Sequence, residues 1–149
     1  MHFTNPLATM DTSAPPLLLI AIIAVAAYVL GCISTSVFFS RLVDNIDIRQ
    51  YGSGNAGTTN TLRVLGKKAA AVVLLGDVLK GVVAAIIGRV LLGEAGAYIG
   101  TMMCIVGHMY PIFFGFKGGK GIATGAGALA VADYRVLLTI LAVFILMFV

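Results

Sequence analysis

The sequence predicts an all-α, polytopic integral membrane protein with about four or five membrane helices and glycine-rich cytoplasmic loops. Hydrophobic residues make up 60% of the 149 residues and charged residues only 11%. The mean hydropathy is +1.04, well above that of a soluble domain. No charged residue occurs between Thr12 and Ser40, a stretch longer than the roughly 20 apolar residues that cross a bilayer as a helix. We therefore expect a single membrane domain over residues 1–149.

The first predicted span runs from Pro16 to Ser40. It follows a polar N-terminal extension, residues 1–15, that contains no Lys or Arg. A signal peptide normally begins with a basic region, so the extension argues against cleavage. The two cysteines, Cys32 and Cys104, both lie in apolar stretches. This placement is typical of buried free thiols and indicates neither a disulfide framework nor a metal site.

Two further spans are predicted from Ala69 to Leu92 and from Ala95 to Phe116. Asp77 and Lys80 interrupt the first of them at a spacing of i, i+3, which places them on one helical face. We favour a structural ion pair, and the alternative is that Lys80 adds positive potential to a site. His108, in the second, is either a packed, hydrogen-bonded residue or a functional group, because ionisable residues at membrane depth tend to be functional.

The C-terminal part of the sequence predicts two short helical pieces. The stretch from Ile122 to Ala132 is too short to span and suggests a partial or re-entrant helix. After a break at residues 132–135, Val136 to Val149 is apolar, would reach about 21 Å as a helix and stops without a polar flank. We expect the chain to be the N-terminal portion of something longer.

The distribution of basic residues predicts the orientation. The connection 41–68 carries five Lys or Arg residues, the loop 117–121 carries Lys117 and Lys120, and the N-terminal tail carries none. Basic residues in short loops remain cytoplasmic. The tail is therefore expected outside, and both glycine-rich loops inside.

The stretch YGSGNAGTTN, residues 51–60, has the glycine spacing of a dinucleotide-binding fingerprint. It is followed by a predicted membrane helix and is not preceded by a buried strand, so the context argues against NAD. The sequence also lacks a P-loop and an H-E-x-x-H motif, which makes ATP and catalytic zinc poor candidates. We expect no metal, no cofactor and no nucleic-acid partner.

The same stretch nevertheless has the chemistry of a phosphate site. Glycines allow backbone N–H groups to approach an anion, neutral side chains add donors, and an arginine can grip a phosphate with two hydrogen bonds. The alternative is a merely flexible turn. The candidate phosphate ligands here are Gly52, Ser53, Gly54, Asn55, Thr59, Asn60 and Arg63.

A second glycine-rich loop offers another candidate anion site. Gly118, Gly119 and Gly121 bracket Lys120 where a short helix is predicted to begin, and a helix N-terminus beside a lysine favours phosphate. The alternative is an anchoring lysine in a flexible linker. The nearby aromatic residues, including Tyr110 and Phe113, are expected to pack at the membrane interface.

The motifs GSGNAGTTNTLRVLGKK and GHMYPIFFGFKGGKGIAT, with GDVLKG between them, closely resemble the bacterial acyl-phosphate:glycerol-3-phosphate acyltransferase family. This resemblance covers roughly residues 17–149. It implies transfer of a fatty acyl group from acyl phosphate to glycerol 3-phosphate, giving 1-acylglycerol 3-phosphate for phospholipid synthesis. It also implies a seven-helix fold in the bacterial inner membrane, of which two helices and a third motif would follow Val149.

The resemblance also implies roles for individual residues. Ser53 and Asn55 match residues that hold a substrate phosphate, and Arg63 and Lys120 match residues that hold glycerol 3-phosphate and the developing charge. Thr59, Asn60 and His108 also match motif positions of the family. Our catalytic candidates are Ser53, Arg63, His108 and Lys120.

The general base is not evident from the sequence, because the two loops offer residues that can bind phosphate but no pair of carboxylates. We hypothesise that the phosphoryl oxygen of acyl phosphate accepts the proton, with His108 as a less favoured helper. The rival class is a non-enzymatic membrane protein, either a small anion transporter or an assembly subunit.

Overall fold

The computed structural model describes residues 16–148, and over these residues every regular element is a helix. The prediction of an all-α fold is confirmed. The N-terminal extension and Val149 lie outside the described residues. The helices are α1 (Pro16–Gly31), α2 (Thr35–Asp44), α3 (Thr58–Met109), α4 (Ile122–Ala132) and α5 (Tyr134–Phe148), with short 3-10 turns at Ile48–Gln50 and Ile112–Phe114.

The predicted first span consists of two helices, α1 and α2, separated by a break at residues 32–34. The continuous helix predicted to Ser40 is therefore corrected. Gly31, the last residue of α1, packs so closely on α3 that a Cβ there would overlap the carbonyl of Cys104. Ser34 then adopts an extended conformation and begins α2. The break leaves the carbonyl of Ile33 available to a side chain from another helix.

Helix α3 contains two interruptions, one at Gly66 and one at Leu92 and Gly93. Both glycines have positive φ, 83° and 60°, which other residues rarely adopt. The second interruption folds the chain back on itself, so that Gly88 meets Gly96 and Ala84 meets Gly100. The two predicted spans are thus antiparallel passes, residues 67–91 and 94–109, joined by a two-residue turn.

The helices pack through small residues. Gly107 lies on the backbone of α1, and Gly81 and Gly127 form the close contact between α3 and α4. Large apolar side chains point outward instead, for example Leu75 and Met102, whose exposed fractions are 61% and 66%. Two apolar stretches, Leu17–Asp44 and Thr58–Phe114, are long enough to cross a membrane. Small residues inside and large apolar residues outside are typical of a protein whose solvent is lipid.

Helix α4 has the predicted bounds, and its C-terminal end is held by polar contacts with α3. Arg89 donates to the carbonyl of Ala132 at 3.0 Å, and the hydroxyl of Tyr98 donates to the carboxylate of Asp133 at 3.0 Å. Asp133 also accepts a hydrogen bond from the backbone N–H of Arg135. This cap begins α5 at Tyr134, two residues before the predicted start.

Candidate active site

A cavity of about 510 Å³ opens between the glycine-rich loop, α3 and α4. Its wall contains both polar and apolar residues. The polar residues include Ser53, Asn55, Thr58, Thr59, Asn60, Arg63, Asp77, His108 and Lys120, and the apolar residues include Leu74, Val78, Ile122, Ala123 and Ala126. Seven candidate residues from the sequence therefore surround one space: Ser53, Asn55, Thr59, Asn60, Arg63, His108 and Lys120.

The N-termini of helices α3 and α4 both line this cavity. Helix α3 is capped by Gly57 and α4 by Gly121, and neither cap offers a side chain to the first turn of its helix. The first-turn N–H groups of a helix have no partner within the helix, and its N-terminal end carries a partial positive charge. Gly121 has a φ of 76°, which favours glycine at this cap. Together the two termini give this part of the cavity wall a positive potential, which favours an anion.

Two cationic side chains add to this positive potential. Arg63 and Lys120 line the cavity, and within residues 16–148 neither of them forms an ion pair with an acidic side chain. Lys117 belongs to the same loop as Lys120 but is not part of the cavity wall. A dianionic ligand would therefore find two uncompensated charges here.

Several of the predicted glycine ligands have a different place in the structure. The backbone N–H groups of Gly54, Gly118 and Gly119 donate to the carbonyls of Tyr51, Met109 and His108, respectively. Gly52, like these three, is not part of the cavity wall. The predicted phosphate contacts of these four glycines stay predictions; within residues 16–148, the amides of Gly54, Gly118 and Gly119 are used inside the protein.

Asn60 also organises the loop. It is 1% exposed, and its amide nitrogen donates to the carbonyls of Ile48 and Tyr51, both at 3.0 Å. Its side-chain oxygen accepts from the backbone N–H of Ser53 at 2.8 Å. A Cβ at Gly52 would overlap this oxygen. Both N–H bonds of the amide are therefore used to hold the loop that presents Ser53.

A buried polar network lies beneath the cavity. The ammonium of Lys80 is 2.9 Å from the carboxylate of Asp77, which confirms the predicted ion pair. The same ammonium is 2.8 Å from Nδ1 of His108 and donates to the carbonyl of Ile33, also at 2.8 Å. Thr35 donates to Asp77 at 3.1 Å. A structural ion pair and a contribution of Lys80 to the site are therefore not alternatives, because the pair directly contacts His108 in the cavity wall.

The sequence analysis missed Arg49, which joins the two glycine-rich loops. Its guanidinium pairs with Asp47 at 2.7 Å, donates to the carbonyl of Phe114 at 2.7 Å and lies over the Phe114 ring at 5.4 Å. The Arg49 hydrogen bond holds the pKa of the Asp47 carboxyl well below its usual range, and the carboxylate in turn raises the pKa of Arg49. The D-x-R spacing at residues 47–49 was the available signal.

The fold and the cavity define a class of protein. It is an integral membrane protein of packed helices, with a cavity that suits a ligand carrying both a phosphate and an apolar group. Comparison with known proteins then gives the family. The sequence profile described as glycerol-3-phosphate acyltransferase matches residues 21–149. The chain belongs to the glycerol-3-phosphate acyltransferase family.

Individual relatives agree with this assignment. A glycerol-3-phosphate acyltransferase of Thermoanaerobacter sp. (strain X514) is 56% identical over 104 residues, which cover 70% of this chain and 52% of the relative. One of Clostridioides difficile (strain 630) is 47% identical over 131 residues, covering 84% and 64%, respectively. The chain thus spans about half to two thirds of the length of these relatives.

A solved structure shares the fold. It is PlsY (YgiH), an integral membrane glycerol 3-phosphate acyltransferase, in its glycerol 3-phosphate form. The TM-score is 0.72 at 37% identity, covering 87% of this chain and 65% of that protein. The lysophosphatidic acid form of the same enzyme gives a TM-score of 0.73, also at 37% identity, with coverages of 87% and 64%.

Proposed function

We propose that the complete protein transfers a fatty acyl group from acyl phosphate to glycerol 3-phosphate and releases 1-acylglycerol 3-phosphate. The observation that carries this proposal is the mixed lining of the cavity, which combines two helix N-termini and two cations with apolar side chains. The structural relative is known in forms named for glycerol 3-phosphate and for lysophosphatidic acid. Both names describe ligands that such a cavity would suit.

The polar residues of the cavity are proposed to hold the phosphates. Arg63 can form two parallel hydrogen bonds with a phosphate, and Lys120 supplies a point charge. The N-termini of α3 and α4 add backbone donors at fixed positions. Ser53 and Asn55 contribute neutral donors from the loop that Asn60 holds in place. Gly52, Gly54, Gly118 and Gly119 contribute indirectly, through the shape of the loops.

The apolar residues are proposed to hold the beginning of the acyl chain. Leu74 and Val78 from α3 and Ile122 and Ala126 from α4 are the apolar residues that would contact it. Because Ile122 is 76% exposed, we propose that the acyl chain extends past this residue toward the surrounding lipid. A substrate with a charged head and a long tail would thus be bound at the membrane surface.

The reaction needs a nucleophile, a proton acceptor and stabilisation of charge. The glycerol hydroxyl attacks the acyl carbonyl carbon, the bond between that carbon and the phosphate oxygen breaks, and phosphate leaves. Asp77, a carboxylate of the cavity wall, is already paired with Lys80. We therefore keep the phosphoryl oxygen of the donor as the proton acceptor. Arg63, Lys120 and the helix amides would stabilise the oxyanion and the leaving phosphate.

The location of the reaction follows from the charge pattern. Arg63 and Lys120 belong to the two connections between predicted spans, 41–68 and 117–121, which carry most of the basic residues, and such connections lie on the cytoplasmic side. The proposed site is at the cytoplasmic face of a bacterial inner membrane. There a water-soluble acceptor and a membrane-bound donor can meet.

A direct test uses the purified full-length protein in detergent or vesicles. Radiolabelled glycerol 3-phosphate is supplied with acyl phosphate or with acyl-CoA, and lipid product is separated from substrate. We expect product with acyl phosphate alone, a loss of about 100-fold or more in Lys120→Met, consistent with removal of one preorganised donor, and near-normal turnover in Lys117→Met. No turnover with either donor, together with glycerol 3-phosphate flux across vesicles, would favour the transporter alternative and refute the proposal.

A further inference from the structure

We propose that Asp77 and Lys80 hold His108 in the tautomer that carries its proton on Nε2, so that His108 donates a hydrogen bond to a substrate oxygen and does not act as the base. The inference rests on the proposed function, because that function supplies the substrate. It assigns a role to the buried ion pair of Asp77 and Lys80, which contacts His108 in the cavity wall. Asp77 and Lys80 are positioning residues in this account.

The tautomer follows from the partners of Lys80. An ammonium has three protons and no lone pair, and three acceptors surround this one. They are the carbonyl of Ile33 at 2.8 Å, the carboxylate of Asp77 at 2.9 Å and Nδ1 of His108 at 2.8 Å. Nδ1 must therefore present its lone pair, which leaves the single proton of the neutral ring on Nε2.

The charges of the network support a neutral ring. The side chains of Asp77 and Lys80 are 2% and 5% exposed, and the His108 side chain is 5% exposed. One carboxylate and one ammonium cancel, whereas an additional imidazolium would leave a net positive charge in a buried place, which is costly. The carboxylate oxygen nearest His108 is 3.6 Å from Nδ1 and already accepts hydrogen bonds from Lys80 and Thr35.

The other ring nitrogen lies beside the second glycine-rich loop. His108 is part of the cavity wall, and a Cβ added to Gly119 would overlap its Nε2. Only glycine at position 119 therefore fits beside this nitrogen. The backbone of Gly119 also donates to the carbonyl of His108 at 3.1 Å, which ties the Lys120 loop to the same residue. Within residues 16–148, no hydrogen bond from Nε2 is formed.

An N–H donor that makes no hydrogen bond within residues 16–148, on a residue in the wall of the proposed phosphate-binding cavity, points to an oxygen of the ligand. A carbonyl or phosphoryl oxygen would accept this bond. A donor fixed in advance costs no reorganisation as negative charge develops on that oxygen. Arg63 and Lys120 would then neutralise the ligand while His108 supplies a directed hydrogen bond.

The tautomer can be measured without turnover. The full-length protein is labelled with ¹⁵N-histidine in detergent, and the His108 signals are those lost in His108→Gln. We expect a protonated Nε2 and an unprotonated Nδ1 at neutral pH, and a shift of the Nε2 signal when glycerol 3-phosphate is added. In Lys80→Met, the loss of the ammonium should move the proton to Nδ1, toward Asp77, or doubly protonate the ring. A protonated Nδ1 in the unsubstituted protein, or an Nε2 signal indifferent to glycerol 3-phosphate, would overturn the inference.

Kinetics provide the second readout. Glutamine can place an N–H donor near the position of Nε2, whereas alanine cannot. We expect His108→Ala to lose about 100-fold in kcat/KM, and His108→Gln to retain activity within about tenfold of the unsubstituted enzyme. Equal losses in the two variants, with both folded by thermal melting, would argue against the donor role. An inactive protein with the proposed tautomer would instead refute the proposed function alone.

Discussion

Arg49 offers the sharpest test of how the two glycine-rich loops are held together. Its guanidinium makes an ion pair with Asp47, donates to the carbonyl of Phe114 and lies on the Phe114 ring. A hydrogen bond to a charged group contributes about 1.5–3 kcal/mol. Because the Arg49 side chain is 19% exposed, part of this contribution is screened by solvent. We expect Arg49→Gln to lower the free energy of unfolding by about 2 kcal/mol.

Arg41 is a matched control for this experiment. It contacts the same carboxylate of Asp47 at 3.1 Å, but its side chain is 55% exposed. Exposed ion pairs contribute about 0–1 kcal/mol. Arg41→Gln should therefore change the free energy of unfolding by less than about 1 kcal/mol. The comparison separates the loss of a positive charge from the loss of the bridge between loops.

The assay combines stability and exchange measurements. Thermal melting in detergent measures the loss of stability, and hydrogen exchange of residues 46–57 and 111–121 reports on the two loops. In Arg49→Gln both loops should exchange faster together, because one side chain connects them. Faster exchange in one loop alone, or equal effects of Arg49→Gln and Arg41→Gln, would refute the reasoning.

Three other predictions concern pH, packing and loop shape. Because the folded pKa of Asp47 is lowered, its contribution to stability is present above the unfolded value of about 3.9 and is lost as the pH falls below it. Melting temperatures should therefore drop below about pH 4, and Asp47→Asn should flatten this part of the profile. Gly127→Ala should cost about 1–3 kcal/mol because its Cβ would overlap the Val78 carbonyl, and it should lower the melting temperature. Asn60→Ala should cost about 2–4 kcal/mol by leaving loop backbone groups unpaired, and it should reduce activity without altering any side chain that contacts phosphate.

Each of these predictions has a clear opposing result. If the melting temperature of Asp47→Asn falls at acid pH as much as that of the unsubstituted protein, other carboxyl groups set the pH dependence. Gly125→Ala is the control for Gly127→Ala, since its Cβ would lie 3.4 Å from Ile105, an ordinary contact. Equal melting temperatures for the two alanine variants would contradict the packing argument. Full stability with lost activity in Asn60→Ala would indicate that the amide contacts substrate directly.

Helix existence and the cavity-lining residues were predictable because local patterns determine them. The apolar stretches, the short α4 and the ion pair of Asp77 and Lys80 follow from length, hydropathy and i, i+3 spacing. Ser53, Arg63 and Lys120 could be selected because glycine, neutral donors and basic residues cluster in two loops. These features require only residues that are near one another in the sequence.

What the sequence did not predict depends on contacts between distant residues. The break after Gly31 arises from its approach to Cys104, and nothing near Gly31 in the sequence reports that approach. Gly118 and Gly119 were predicted to bind phosphate, and the sequence did not reveal that their amides donate to the carbonyls of Met109 and His108 at the turn after α3. The bridge from Arg49 to Phe114 spans 65 residues. No local pattern could reveal it.

The break between α1 and α2 also has a consequence for how the protein assembles in the bilayer. Lys80 needs the carbonyl of Ile33 from the first segment and Nδ1 of His108 from the third. An ammonium that lacks one of its buried hydrogen-bond acceptors costs about 1–3 kcal/mol. A chain with one segment misplaced would keep the pair of Lys80 with Asp77 but would lose one of these two acceptors, whereas the correctly threaded chain would not. The network therefore favours the native arrangement of the three segments, because only that arrangement supplies all three acceptors of the Lys80 ammonium.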